Sequence, residues 1–411
     1  MFLLNSSFFK KYLLPGFVFQ SVVIAGGYGT GREIIEYFLK YGPLGGLLGM
    51  FLVTTLMWSV MLAVTFEFSR IFRAYDYRTF FMNLLGRYWV IFEVLYLIFL
   101  LIVLAVIGAA AGVLLRDNFG LPYMVGVLII LSAIGFLTFK GSGLIEKFLS
   151  GWSIVLYLVY GAFLIAGFIK FGPQIQKNLA DAVVLPGWAL GGFKYALYNM
   201  AIVPAVLFCL KHIGTRKEAL KAGFMAGIIG ILPGFLFFIA VVSHCPAVLP
   251  PEVPAACVPE NIGVVPILIA FQIDVFQIDA FLTFIEKYLI LNQEVPAVYL
   301  LKKVGFAPLL IAFQIVLFGT LIETGTGFIH AVNERIQSAL KARGKELPRK
   351  LRPLIALVLL LCGLGISIFG LKDLIQKGYG SLSWGVFIVF FIPLMTIGLY
   401  KMIKMRNSMN P

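Results

Sequence analysis

A glycine-rich run near the start of the chain, Gly26-Gly27-Tyr28-Gly29-Thr30-Gly31, interrupts a long apolar segment. In hydrocarbon, backbone that is not helical is tolerated only where it is buried in protein or lines a wet cavity. Around such a break, free N–H groups carry partial positive charge and free carbonyls can coordinate a cation. The run therefore predicts a site for a small polar solute, with the backbone of 26–31 and the Thr30 hydroxyl as ligands.

Charged residues follow the run at a depth where charge is costly, namely Arg32, Glu33 and Glu36. Arg32 and Glu36 have the i,i+4 spacing of an ion pair, which suits either a structural or gating role or contact with the solute. We also expect Glu33 to serve a gate. The alternative is a glycine-packed helix crossing of the GxxxG type, against which the adjacent Arg32 and Glu33 argue.

A second polar group lies deep in a later apolar segment, where Glu323, Thr324 and Thr326 stand among glycines. A carboxylate with no basic neighbour within one helical turn tends to take up a proton or bind a cation. We expect Glu323 to take up a proton or to bind a cation beside the oxygen atoms of this cluster, with a bound sodium ion as the one candidate cofactor. The alternative is a carboxylate that caps the backbone at a glycine kink.

The composition indicates what kind of elements must position these groups. A chain with 61% hydrophobic and 13% charged residues is excluded from the soluble globular class. We predict a single all-α domain, 1–411, embedded in the lipid bilayer. Its apolar segments predict ten membrane-spanning helices, at 13–40, 43–69, 89–115, 121–139, 145–170, 189–211, 218–243, 308–337, 351–371 and 383–404.

The formal charge of +14 is interpreted as a topology signal and not as a nucleic-acid surface. Most of the 33 Lys and Arg residues fall in alternate loops, on the side that holds both chain ends. This distribution predicts a protein of the cytoplasmic membrane with a cytoplasmic N-terminus and C-terminus.

The apolar stretch 262–291 carries Asp274, Asp279 and Glu286, and its insertion would reverse the charge bias of the later loops. We therefore expect it not to span, within an extracellular insertion at 244–305. A disulfide between Cys245 and Cys257 is an open possibility on that side.

The predicted helices divide into five before and five after the connection at about 171–188, and an odd number per half gives the two halves opposite orientations. We expect inverted repeats at 13–170 and 189–404. The second repeat also opens with a damaged helix, Tyr195-Ala196-Leu197-Tyr198-Asn199 followed by Pro204. Corresponding breaks in two repeats indicate a midplane site, to which Tyr198 and Asn199 would contribute.

Several segments resemble the YkvI-type bacterial membrane proteins, a branch of the amino acid–polyamine–organocation superfamily. The segments are the first-helix run Gly26 to Phe38, Gly108-Ala109-Ala110-Ala111-Gly112, Tyr198-Asn199, Glu294-Val295-Pro296, and Leu374 to Gly380 between the last two predicted helices. The resemblance implies the LeuT-like fold and solute transport by alternating access. In that fold the eighth helix faces the first break and supplies hydroxyls to a sodium site, which implies an ion site at Ala25, Thr324 and Thr326 beside Glu323.

The leading hypothesis is a secondary active transporter, and not an enzyme, for a small polar solute such as an amino acid or related amine. The alternative is a membrane ligand sensor or receptor subunit that uses the same pocket without transporting. The solute, the coupling ion and the oligomeric state stay open at this point.

Overall fold

The computed structural model describes residues 6–24, 26–140, 142–180, 184–244, 290–291, 293–341, 344, 347–348 and 351–409. Within these ranges the chain is almost entirely helical and has no β-strand. The expected all-α class is confirmed. The stretch 262–289, Cys245 and Cys257 lie outside the described residues, and the repeat boundaries stay predictions.

The first membrane helix is broken at two points and has three parts, α1 (Leu14–Val23), α2 (Gly26–Thr30) and α3 (Arg32–Tyr37). Ile24 leaves helical geometry with a ψ of 55°, and Gly31 adopts a left-handed φ of 82°. The expectation that all of 26–31 is unwound is wrong, because α2 is a helical turn. That turn is possible because its backbone stays paired locally, as in the 2.8 Å bond from the Gly31 N–H to the Tyr28 carbonyl.

The remaining described helices follow in chain order. They are α4 (Pro43–Phe72), α5 (Tyr77–Leu85), α6 (Trp89–Phe119), α7 (Tyr123–Lys140), α8 (Ser142–Ala180), α9 (Trp188–Asn199), α10 (Arg216–Val242), α11 (Pro296–Val304), α12 (Ala307–Lys341), α13 (Leu351–Ser367) and α14 (Leu371–Ser408).

Length and hydropathy identify six stretches of the described chain that can cross a membrane: α4, α5 with α6, α8, α10, α12 and α14. The shorter helices α7 and α13 are also apolar. Together with the broken first and sixth helices, these elements account for the ten predicted crossings. The short helix α11 lies inside the predicted insertion.

The sixth helix changes type instead of unwinding where expected. α9 stays α-helical through Tyr195–Asn199, and the backbone then becomes a 3₁₀-helix over Met200–Ala205 and again over Leu207–His212. Pro204 lies inside the first of these segments, where its missing N–H is compatible with a change of hydrogen-bond pattern. The sixth helix is broken as predicted, but the break begins after Asn199.

Two predicted connections are helical. α8 continues to Ala180, into the connection expected from about 171, and Leu374–Gly380 lies inside α14 instead of between the last two helices. Leu374–Tyr379 forms a π-helical turn. A π-turn frees backbone carbonyls for other partners, and such turns are frequent at functional sites.

The contact between α4 and α10 is close and is built on glycine. A Cβ at Gly227 would lie 2.7 Å from Ser59 Cα, and a Cβ at Gly223 would meet the backbone of Ala63. Ser59 adds a 3.1 Å bond from its hydroxyl to the Phe224 carbonyl. Small residues thus allow close backbone approach, which drives helix association in lipid.

We expect Gly227→Ala to destabilise the protein by about 1–3 kcal/mol, because its methyl group has to displace the Ser59 backbone. The measurement is the melting temperature of the purified protein in detergent. Gly365→Ala is the matched control, since a Cβ at Gly365 meets nothing within 4 Å. Equal melting temperatures for the two variants would contradict this account of the α4–α10 contact.

Candidate solute-binding site

The site lies where the two broken helices meet. α1 packs against the 3₁₀ segment Met200–Ala205, and α3 packs against α9 and the π-turn of α14. α2 lies between them and contacts α6, α11 and α12. The break is therefore surrounded by protein, which satisfies the condition for non-helical backbone at membrane depth.

Glycines in the run permit close contacts that a side chain would block. A Cβ at Gly27 would collide with the carboxylate of Glu33, and one at Gly29 would lie 2.9 Å from Leu317 Cδ1 of α12. Gly31 has a left-handed φ of 82°, and a Cβ there would collide with the Phe237 ring. Gly31 is thus the position where the backbone itself requires glycine.

The other residues in and beside the run are placed as follows, and their roles in binding stay predictions. Gly26 begins α2. The Thr30 hydroxyl donates to the Gly27 carbonyl at 2.6 Å, so it holds the turn instead of pointing to a ligand. The Tyr28 hydroxyl is buried and has no hydrogen-bond partner among the described residues. Ala25, a predicted ion ligand, lies outside the described chain.

The predicted pair Arg32 and Glu36 is present, with 3.3 Å between Arg32 Nη2 and Glu36 Oε2. Glu36 also pairs with Lys40 at the edge of the site. Arg32 is only 2% exposed, and its Nη1 donates to the Leu291 carbonyl at 2.6 Å and to the Gln293 carbonyl at 3.0 Å. The guanidinium thus ties the broken helix to the segment that precedes α11.

The segment that precedes α11, together with the first residues of α11, covers the break. The backbone nitrogen of Ala297 would lie 3.4 Å from a Cβ at Gly31, and Glu294 binds Arg116 of α6 with 2.7 Å between Oε2 and Nη2. The end of the predicted insertion is therefore latched to α3 and α6. We call 291–297 the cover.

Glu33 faces the sixth helix and not the cover. Its side chain is buried at 3% exposure, and its Oε2 accepts a hydrogen bond from the Tyr198 hydroxyl. Its Oε1 approaches Gly27 and receives no hydrogen bond from a described residue. The helical spacing explains the division, because Arg32 and Glu36 share one face of α3 while Glu33 and Tyr37 share the next.

Four buried tyrosines, Tyr37, Tyr195, Tyr198 and Tyr379, surround this carboxylate, and we call them the tyrosine cluster. The rings of Tyr198 and Tyr379 stack with centroids 4.6 Å apart, while the Tyr37 and Tyr195 rings lie 5.4 and 5.5 Å from that of Tyr198. The Tyr37 hydroxyl donates to the Ile375 carbonyl of the π-turn at 2.9 Å.

Sequence reasoning singled out Tyr198 but missed the other three residues of the cluster as site residues. Tyr195 stands in the quoted sixth-helix stretch and Tyr379 in the Leu374–Gly380 segment, so both were signalled only as parts of motifs. The i,i+4 spacing of Glu33 and Tyr37 in the sequence could have indicated that both side chains lie on one face of the helix. Asn199, predicted as a ligand, instead donates from its amide to the Tyr195 carbonyl at 3.0 Å.

The eighth helix, α12, meets the break earlier in its sequence than predicted. A cavity of about 10 Å³ beside the break is lined by Ile24, Gly29, Leu156, Tyr160, Phe313, Val316, Leu317 and Thr320. This volume is roughly that of one water molecule. The described lining on α12 ends at Thr320, about one turn before Glu323.

The predicted ion-coupling residues therefore lie next to the break region and not in the cavity lining. The Thr324 hydroxyl donates to the Thr320 carbonyl at 2.9 Å, which occupies it within its own helix. Thr326 is 1% exposed, and its hydroxyl has no hydrogen-bond partner in the described chain. Glu323 is half-buried in a stretch of α12 that is α-helical on both sides of it.

Comparison with known proteins supports the fold. No family model matches the chain. The uncharacterized membrane protein YkvI of Bacillus subtilis (strain 168) is 27% identical over 221 residues, which cover 51% of this chain and 60% of that protein. The alignment thus covers less than two thirds of the relative's length.

Among solved structures, a manganese transporter from Eremococcus coleocola aligns over 94% of this chain and 78% of its own, with 15% identity and a TM-score of 0.51. MhsT in complex with L-phenylalanine aligns over 96% and 98%, with 13% identity and a TM-score of 0.49. At these identities the likeness concerns the fold alone. The chain is an all-α polytopic membrane protein with the LeuT-like arrangement.

We expect Arg32→Gln to loosen the cover, because it removes the charged donor from the Leu291 and Gln293 carbonyls. Hydrogen exchange followed by mass spectrometry should show amide exchange in 293–304 faster by about tenfold, the scale of one lost charged hydrogen bond. Lys40→Gln is the control, since Lys40 contacts Glu36 but none of these carbonyls. Slow exchange in both variants would show that Arg32 does not latch the cover.

Proposed function

We propose that the chain is a secondary active transporter that moves a small polar solute, an amino acid or a related amine, by alternating access. The solute would bind at the breaks of the first and sixth helices. The observation that carries the proposal is the contact of these two broken helices around buried charge. Such discontinuous helices at a repeat interface are the usual construction of transporter sites.

The energetic cost of burying three charged residues at the break supports a role for them in function. Arg32, Glu33 and Glu36 are all less than 5% exposed and occupy two turns of one helix at membrane depth. Ionisable residues in such places are rare and mark solute or ion pathways. A purely structural crossing needs none of them, because glycine contacts such as those of α4 and α10 suffice.

The closed geometry suits one state of an alternating-access cycle. The cavity beside the break has room for about one water molecule, while the cover blocks the break on the side predicted to be outside. An amino acid needs far more space, so binding requires movement of the cover or of α1. In this proposal Arg32 and Glu36 act as the outer gate. Glu33 lies on the same helix, α3, and is linked to the gate through it.

For ion coupling, the structure favours Thr326 over Thr324. Hard cations take oxygen ligands, and the buried Thr326 hydroxyl has no described partner, whereas Thr324 is bound to its own helix. Glu323 supplies a carboxylate nearby on α12. We propose sodium or protons as the driving ion on this basis.

The direct test is uptake of radiolabelled amino acids and aliphatic amines into proteoliposomes with imposed sodium or proton gradients. We expect Gly31→Ala to reduce the initial rate about tenfold, because alanine in a left-handed conformation costs about 1–2 kcal/mol and its methyl group would meet Phe237. Gly365→Ala should keep the wild-type rate. Saturable binding without flux under any gradient would contradict transport and favour a receptor subunit.

The coupling ion is tested by Thr326→Val, which removes the hydroxyl at nearly constant volume. We expect the sodium concentration for half-maximal flux to rise in this variant. Thr324→Val is the matched control and should leave it unchanged, because that hydroxyl serves its own helix. Wild-type flux that does not respond to sodium would exclude the sodium site at Thr326.

A further inference from the structure

Glu33 differs from the other buried carboxylates of the described chain in how little compensates its charge. Glu36 pairs with Arg32 and Lys40, and Glu67 pairs with Arg70 at 2.8 Å. Glu33 has one hydrogen bond, from Tyr198, and no ion pair with any described residue. Its second oxygen, Oε1, lies beside Gly27 without a described donor.

A charge taken out of water is costly unless it is paired and hydrogen-bonded. A carboxylate in the position of Glu33 therefore has to hold a proton or receive a cation from outside the chain. The nearest cation along the helix, Arg32, is directed to Glu36 and to the cover carbonyls. Within the described part of the chain, no positive group pairs with the carboxylate of Glu33 at the break.

The tyrosine cluster completes a setting suited to a positive group. Ring faces attract cations, and the attraction grows when water is excluded. The hydroxyls of Tyr195 in the cluster and of the nearby Tyr28 are buried without a described partner, and burying a hydroxyl without a hydrogen bond is costly. A cluster that served packing alone would be cheaper with phenylalanine, so the hydroxyls indicate a bound polar group.

Access to this carboxylate is through the break itself. Gly27 leaves the space that Glu33 Oε1 occupies, and α2 separates the carboxylate from the small cavity lined by Gly29 and Thr320. A solute that enters when the cover or α1 moves would meet this oxygen beside the backbone of the run.

We propose that Glu33 and the tyrosine cluster recognise the ammonium group of a cationic solute, an aliphatic amine or an amino acid with a cationic side chain. This inference rests on the proposed transport function and narrows its substrate class. It assigns Glu33 to the binding site, in place of the gating role expected from the sequence. The ammonium group donates to the Glu33 carboxylate and lies against the tyrosine rings, while the same carboxylate repels an anionic group placed at this position.

The test measures binding and transport separately. Melting temperatures of the purified protein are recorded with n-butylamine, n-butanol or butyrate, which share a carbon chain and differ in charge. A ligand of the folded state raises the melting temperature by mass action. Uptake into proteoliposomes is compared for lysine and norleucine, which differ in the terminal amine.

Three variants make the test specific. Glu33→Gln keeps an oxygen acceptor for Tyr198 but removes the charge, and Glu33→Asp keeps the charge. Glu67→Gln removes a buried carboxylate far along α4 that already has a partner. We expect only butylammonium to raise the melting temperature, in the wild type, in Glu33→Asp and in Glu67→Gln, with the shift lost in Glu33→Gln.

The possible outcomes separate this inference from the proposed function. Equal shifts with butanol, or a butylammonium shift that survives Glu33→Gln, would overturn the cation site. Uptake of norleucine equal to that of lysine, in the wild type and in Glu33→Gln, would keep transport and overturn the cation preference. A Glu33-dependent shift without any flux would support the cation site and contradict transport.

Discussion

The constraint on which this structure depends is the need to satisfy backbone polar groups at membrane depth where the first helix is broken. The chain meets it locally. The Thr30 hydroxyl binds the Gly27 carbonyl, the Gly31 N–H binds the Tyr28 carbonyl, and the resulting turn stays helical between two kinks. Because α2 closes on itself, the break exposes little bare backbone, and the side chains around it decide what can bind there.

The charges of those side chains are compensated to different extents, and this difference determines which charge a bound solute can carry. The Nη atoms of Arg32 bind two carbonyls of the cover and Glu36, so the positive charge on α3 serves to hold the molecule closed. Among the described residues, Glu33 receives a hydrogen bond only from the Tyr198 hydroxyl. A solute or a proton can neutralise a charge that the protein leaves unpaired. Its binding then offsets the desolvation penalty of that buried charge.

The sequence was sufficient for the features that are local in the chain. Composition gave the fold class, the glycine run gave the broken first helix, and the i,i+4 spacing gave the pair of Arg32 and Glu36. Features set by long-range register could not be derived. Tyr379 stands at the end of the π-turn in α14 and stacks on Tyr198, which lies far from it in the sequence. The register at which α12 meets the break, Phe313 to Thr320, likewise depends on how distant helices pack. Thr30 was misassigned because its hydroxyl had a backbone acceptor within reach of its own turn.

The two ends of the broken helix are held by different physical interactions, and this bears on which end moves more readily. α3 is held by buried charge, and separating Arg32 from the cover leaves carbonyls and a guanidinium without partners in a dry environment. α1 is held mainly by packing, with the Phe19 ring edge-on to Trp58 at 5.0 Å and one bond from Gln20 to the Ile229 carbonyl. The ion pair of Glu218 with Lys11, which precedes α1 in the chain, is partly exposed, so water replaces the partner at little cost. Movement of α1 therefore sacrifices contact area, whereas movement of α3 sacrifices buried polar bonds that only an entering solute or water can replace.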